Sequence, residues 1–70
     1  MITLEQIQKR LAEAIKQSGM TQMEIAEKLG IRHQQISCYI LGKKLPALDT
    51  FANLCQLLDE DANYILCIKD

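Results

Sequence analysis

Arg32, His33, Gln34 and Gln35 follow one another in this chain, with Ser37 and Cys38 just beyond. The chemistry open to this run is hydrogen bonding rather than bond breaking. Each Gln carries a donor and an acceptor on one amide and can pair in bidentate fashion with N6 and N7 of adenine. Such a pair is worth about 1–3 kcal/mol of discrimination against a wrong base. Arg32 and His33 are equally able to meet base edges or phosphates. No catalytic constellation competes. There is one His, no Cys or Ser nucleophile in a suggestive arrangement, no Gly-rich phosphate loop and no pair of carboxylates on a core helix. The residues predict no enzyme. Cys38, Cys55 and Cys67 form no CxxC pair and have no His at zinc-ligand spacing, so neither a metal nor a cofactor is expected. Asp59, Glu60 and Asp61 read as a helix-capping acidic turn, not a cation site.

To read anything, these side chains must be held by a short helix braced by another. The composition favours that: nearly half the residues are apolar, aromatics are few, and only three Gly and one Pro interrupt the chain. Thr3 and Gln6 have capping-box spacing, which predicts a first helix from about Leu4 to Ser18. Its buried stripe is Ile7, Leu11, Ala14, Ile15 and Ser18, and Gly19 ends it. A second box, Thr21 to Glu24, starts a helix with Met23, Ile25, Ala26 and Leu29 as its apolar side, stopped at Gly30. Met20 and Met23 are expected in or near the core, and Ile31 plugs the turn. The third helix runs from about His33 to Leu41 with Ile36, Tyr39 and Ile40 inward and no strong N-cap, Arg32 standing where Ser or Thr is preferred. Gly42 ends it, and Lys43-Lys44-Leu45-Pro46 make a basic loop. A fourth helix, Leu48 to Leu58, carries the stripe Leu48, Phe51, Leu54, Cys55 and Leu58. Asp61 caps a final short helix with Tyr64, Ile65 and Ile68 inward. The expected fold is all-α, one domain over residues 1–70, with a helix-turn-helix at about 21–41.

The formal net charge is −1, which is unusual for a nucleic-acid binder, but it is unevenly spread. Residues 1–45 hold Lys9, Arg10, Lys16, Lys28, Arg32, Lys43 and Lys44 against Glu5, Glu13, Glu24 and Glu27. Residues 46–70 hold Lys69 against Asp49, Asp59, Glu60, Asp61 and Asp70. A polarised domain can turn a basic face to phosphate and an acidic face away from it. The odd cysteine count suits a reducing cytosol, and the longest apolar stretch, Tyr64 to Ile68, is too short to span a membrane. A soluble, cytoplasmic protein without a signal peptide is expected.

The segment from Leu11 to Leu66 resembles the lambda-repressor-like helix-turn-helix family, the Cro/cI or Xre type of bacterial and phage regulators. GMTQMEIAEKLGI matches the family's second helix and turn, HQQISCYILGKKLP its recognition helix and basic loop, and LDTFANLCQLL with DANYIL its last two helices. The resemblance implies a compact five-helix domain and double-stranded DNA as partner. It carries Thr21 and Gln22 onto the phosphate clamp that opens helix two, and Lys43 and Lys44 onto the phosphate-touching loop. His33, Gln34 and Cys38 fall on base-reading positions, so Arg32, His33, Gln34, Gln35, Ser37 and Cys38 are the candidate base contacts.

Two departures from the family pattern stand out. Many members pair an Arg late in helix one with a Glu near the end of helix three; here both are apolar, Ile15 and Ile40, which are expected to touch in the core. At Cys38 a long polar or basic side chain is usual, and a short thiol shifts reading to His33, Gln34, Gln35 and Ser37. One short recognition helix gives little affinity alone, so these regulators bind twofold half-sites as dimers. Leu41, Leu45, Leu66 and Cys67 are the candidate homodimer interface, with Leu41 exposed, Leu45 a further candidate for exposure, and Leu66 or Cys67 outside. The expected function is a transcriptional regulator of the small phage- or plasmid-type repressor kind, reading a palindromic operator through helix three. The rival is a protein-interaction module, or an antitoxin whose partner is a toxin, built on the same fold. In that case Gln34 and Gln35 are merely a solvated face and the lysines merely solubilising.

Overall fold

A computed structural model describes all residues 1–70. Five α-helices follow in order: α1 (Leu4–Gln17), α2 (Gln22–Leu29), α3 (His33–Leu41), α4 (Leu48–Leu58) and α5 (Ala62–Ile65). No helix is long and apolar enough to cross a membrane. Local signals set most of these bounds. The Thr3 hydroxyl accepts from the Gln6 amide at 3.2 Å while Gln6 Oε1 accepts from the Thr3 amide at 3.0 Å. Thr21 and Glu24 repeat this reciprocal box at 3.0 and 3.2 Å. Each box satisfies two helix-end groups that would otherwise lack partners.

Helices α2, α3 and α4 end the same way, on a left-handed residue: Gly30 (φ 70°), Gly42 (φ 76°) and Asp59 (φ 55°). Behind each, the next amide returns to the helix: Ile31 N to Ala26 O, Lys43 N to Cys38 O and Glu60 N to Cys55 O, at 2.9–3.0 Å. Asp59 manages this without being Gly because Asp is among the few side chains that tolerate the region.

One cluster forms the core, with Leu11, Ile25, Ile36, Leu54 and Ile65 fully buried, one from each helix. Helix α1 packs on α3 and α5, and α2 packs on α3 and α4, so α3 is held from two sides. Ala14, Ala26 and Cys55 are small residues within that cluster, and Ile31 plugs the turn against it. Ile15 is buried and Ile40 half-buried against the same cluster, so both bring apolar groups and no charge to it.

Five expectations need correction. Met23 is 66% exposed. It lies about 200° around the helix from Ile25, at roughly 100° per residue, while Ala26 and Leu29 stay on the core side. Leu48 is 86% exposed, because it is the first residue of α4 and lies past the edge of the packed layer. Ile68 is 67% exposed and does not turn inward. Helix α5 ends at Ile65 and Cys67 takes φ 65°, so the chain reverses and helical phase no longer applies. Leu66 consequently packs against the core instead of standing outside, as does Leu45.

Candidate nucleic-acid interface

Helix α3 starts without a side-chain cap at Arg32, leaving its first turn open. Arg32, His33 and Gln34 are exposed there, and Gln35, Ser37 and Cys38 are half-buried. Arg32, Gln34, Gln35, Cys38 and Lys44 line one shallow depression with no acidic residue on its rim. A second depression brings His33, Arg32 and Gln34 together with Met23 and Glu27 of α2. Arg32 and Gln34 thus form the ridge between the two. Gln35 and Cys38 fall on the side of Lys44, and His33 on the side of α2. Ser37 lines neither. Of the six candidate base-reading residues, Arg32, Gln34, Gln35 and Cys38 share one depression, and His33 joins Arg32 and Gln34 in the other.

The two lysines of the loop also differ. Lys44 borders the depression with Gln34 and Gln35 and a separate groove, whereas Lys43 borders only that groove, which Leu4, Glu5 and Gln8 of α1 share. Only Lys44 therefore stands beside the exposed start of α3, while both lysines share the groove that contains Glu5. Gln22 is exposed at the first position of α2. The Thr21 hydroxyl oxygen accepts from Glu24, which leaves its proton free for an anion. That proton lies with the early amides of α2 at the positive end of the helix dipole, which the Glu24 carboxylate on the Thr21 amide partly neutralises.

None of Arg32, His33, Gln34, Gln35, Lys43 or Lys44 makes a side-chain hydrogen bond or ion pair within the chain, unlike Gln8, Arg10 and Lys69. Of the four candidate interface residues, Leu41 is 64% exposed, Leu45 and Leu66 rest on the core, and Cys67 is half-buried.

Gln8 lay outside every sequence expectation. Its Nε2 donates to Tyr39 O and Ile40 O, both at 3.3 Å, tying α1 to the end of α3. Only the missing side chain at Gly42 hints at it: a Cβ there would meet Gln8 Cδ at 3.0 Å.

The family model described as a helix-turn-helix domain matches residues 8–69. The chain belongs to the helix-turn-helix domain family. Two proteins of Bacillus subtilis (strain 168) are similar to this helix-turn-helix domain. One is the uncharacterised HTH-type transcriptional regulator YqaE, 36% identical over 56 residues, covering 80% of this chain and 48% of its own length. The other is the HTH-type transcriptional regulator ImmR, 40% identical over 58 residues, covering 83% of this chain and 46% of its own length. The helix-turn-helix domain thus spans about half the length of either relative. No solved structure matches it.

Proposed function

We propose that this helix-turn-helix domain binds double-stranded DNA by sequence and serves in transcription regulation. The observation that carries the reading is the open first turn of α3, where Arg32, Gln34 and Gln35 stand unpaired beside Lys44 with no acid on the rim. The two relatives named as transcriptional regulators support it. In this reading Gln34 and Gln35 pair with base edges, Arg32 with a base or phosphate, and Lys44, Gln22 and Thr21 hold the backbone without reading it. His33 and Cys38 contribute at the edges of the contact, and Ser37 and Lys43 least.

A palindromic operator bound by a homodimer, and repression by blocking polymerase, complete the proposal, since one helix buries too little DNA for strong binding alone. Of the four interface candidates, Leu41 best meets the exposure a partner copy requires.

Selection from a random duplex library, at two salt concentrations and with Gln34→Ala alongside, tests the reading. An enriched palindrome whose discrimination is lost or relaxed in the variant is the expected result. Unselective binding that vanishes with modest salt would reflect phosphate attraction only. The rival, a protein-interaction module or antitoxin, would then gain. The exposed Met23, Leu41 and Leu48 favour it, and a toxin or other protein would be the partner to seek.

A further inference from the structure

The last carbonyls of a helix have no partner inside it. In α3 the Ile40 carbonyl is met by Gln8 Nε2 at 3.3 Å, and the Tyr39 carbonyl is shared between Gln8 at 3.3 Å and the Gly42 amide at 3.4 Å. The bonds cross 31 and 32 residues of sequence, and no other side chain of α1 makes a hydrogen bond to α3. Gly42 gives the Gln8 amide room, since a Cβ there would lie 3.0–3.2 Å from Gln8 Cδ, Nε2 and Oε1. Helix α3 is thus fixed at three places. Ile36 and Tyr39 anchor its buried face, the Gly30 turn holds its start to α2, and Gln8 straps its end to α1.

We propose that Gln8 is a positioning residue for sequence reading: by holding the end of α3 it sets the angle at which Gln34 and Gln35 meet DNA. The inference rests on the DNA-reading function proposed above. Bidentate base contacts tolerate an error of only about 0.5 Å or 10–20°. Phosphate attraction is far less demanding of angle, being an ion-release effect with little geometry in it. Loosening the strap therefore lowers discrimination more than total affinity. Lys43 and Lys44 follow Gly42 directly, so the same strap also sets where the loop lies.

The full chain is tested as wild type, Gln8→Met and Gln8→Lys, each against the selected palindrome and a scrambled duplex of equal length. Methionine keeps the length without charge or donor; lysine returns a donor to the two carbonyls, and its extra charge acts on both duplexes alike. Amide hydrogen exchange along α3, read on the same samples without DNA, reports the strap and shows that each variant is folded. Gln8→Met is expected to lower the ratio of palindrome to scrambled affinity about three- to tenfold, the scale of one net hydrogen bond. It should also speed exchange in the last turn of α3, and Gln8→Lys should restore both. An unchanged ratio in Gln8→Met overturns the positioning role, whatever the exchange does. If wild type binds both duplexes equally, the DNA reading itself fails and the role falls with it. Faster exchange in Gln8→Met would then identify a purely structural clasp.

Discussion

The guanidinium of Arg10 lies 4.4 Å from the centroid of the Tyr64 ring, and its Nη1 donates to the carbonyl of that same residue at 2.7 Å. A second bond from Nη1 reaches Lys69 O at 2.9 Å, so one α1 side chain holds both α5 and the residues after it. The ion pair with Asp70 is long, at 3.9 Å, and Asp70 is fully exposed. Arg10→Met should therefore cost about 1–2 kcal/mol through the lost charge-assisted bonds and the ring contact. Asp70→Asn should change stability by no more than a few tenths of a kcal/mol, as surface pairs do. Urea unfolding of both variants checks this; equal losses would mean that the ion pair, not the carbonyl clasp, holds the tail.

Gly30 and Gly42 share nearly the same backbone, φ 70° and 76°, in different surroundings. Nothing lies within 4 Å of a Cβ built on Gly30, whereas one on Gly42 meets Gln8. Gly30→Ala should cost about 1–2 kcal/mol, the conformational term alone. Gly42→Ala should cost more, and the excess should vanish in a Gln8→Ala background. A double-mutant cycle reads that coupling; additive costs would deny that Gln8 crowds the site.

The three thiols offer a footprint. Cys55 is 5% exposed, and burial, helped by the nearby charges of Glu60 and Asp61, pushes its thiol up from the ordinary range. It should resist alkylation in the folded chain. Cys38 lines the depression with Gln34 and Lys44, while Cys67 lies in a cleft bordered by Arg10 and Tyr64. Bound operator should protect Cys38 and leave Cys67 reactive, as read by mass spectrometry of timed alkylation. Protection of Cys67 in place of Cys38 would move the interface to the other cleft.

The Lys69 ammonium, bonded to Asp61 Oδ2 at 3.0 Å, holds that carboxyl below its usual range, with the Asn63 amide adding to the effect. A depressed carboxylate contributes stability that is present above its unfolded pKa and is lost as pH falls through the folded one. Acidification below the ordinary carboxylate range should therefore weaken the N-cap of α5. Lys69→Met should flatten that dependence while leaving the neutral-pH fold intact. Urea midpoints measured across the acid range would refute this if wild type and variant lost stability in parallel.

The helices and their ends were readable before any tertiary contact was known, because their signals lie within three or four residues of where they act. Thr3 with Gln6, Thr21 with Glu24, and Gly30 and Gly42 at helix ends are of this kind. So is the order of polar residues opening α3. Periodicity was weaker where a helix was short or stopped: it placed Met23, Leu48 and Ile68 inward, and each is exposed. Folding alone could decide which groups distant in sequence meet. Gln8 reaches the end of α3, Arg10 reaches Tyr64 and Lys69, and Leu45 and Leu66 turn to the core while Leu41 stays out. A glutamine or arginine on a half-buried helix face has several partners within reach of a flexible side chain. Only the packing of α1 against α3 and α5 selects one.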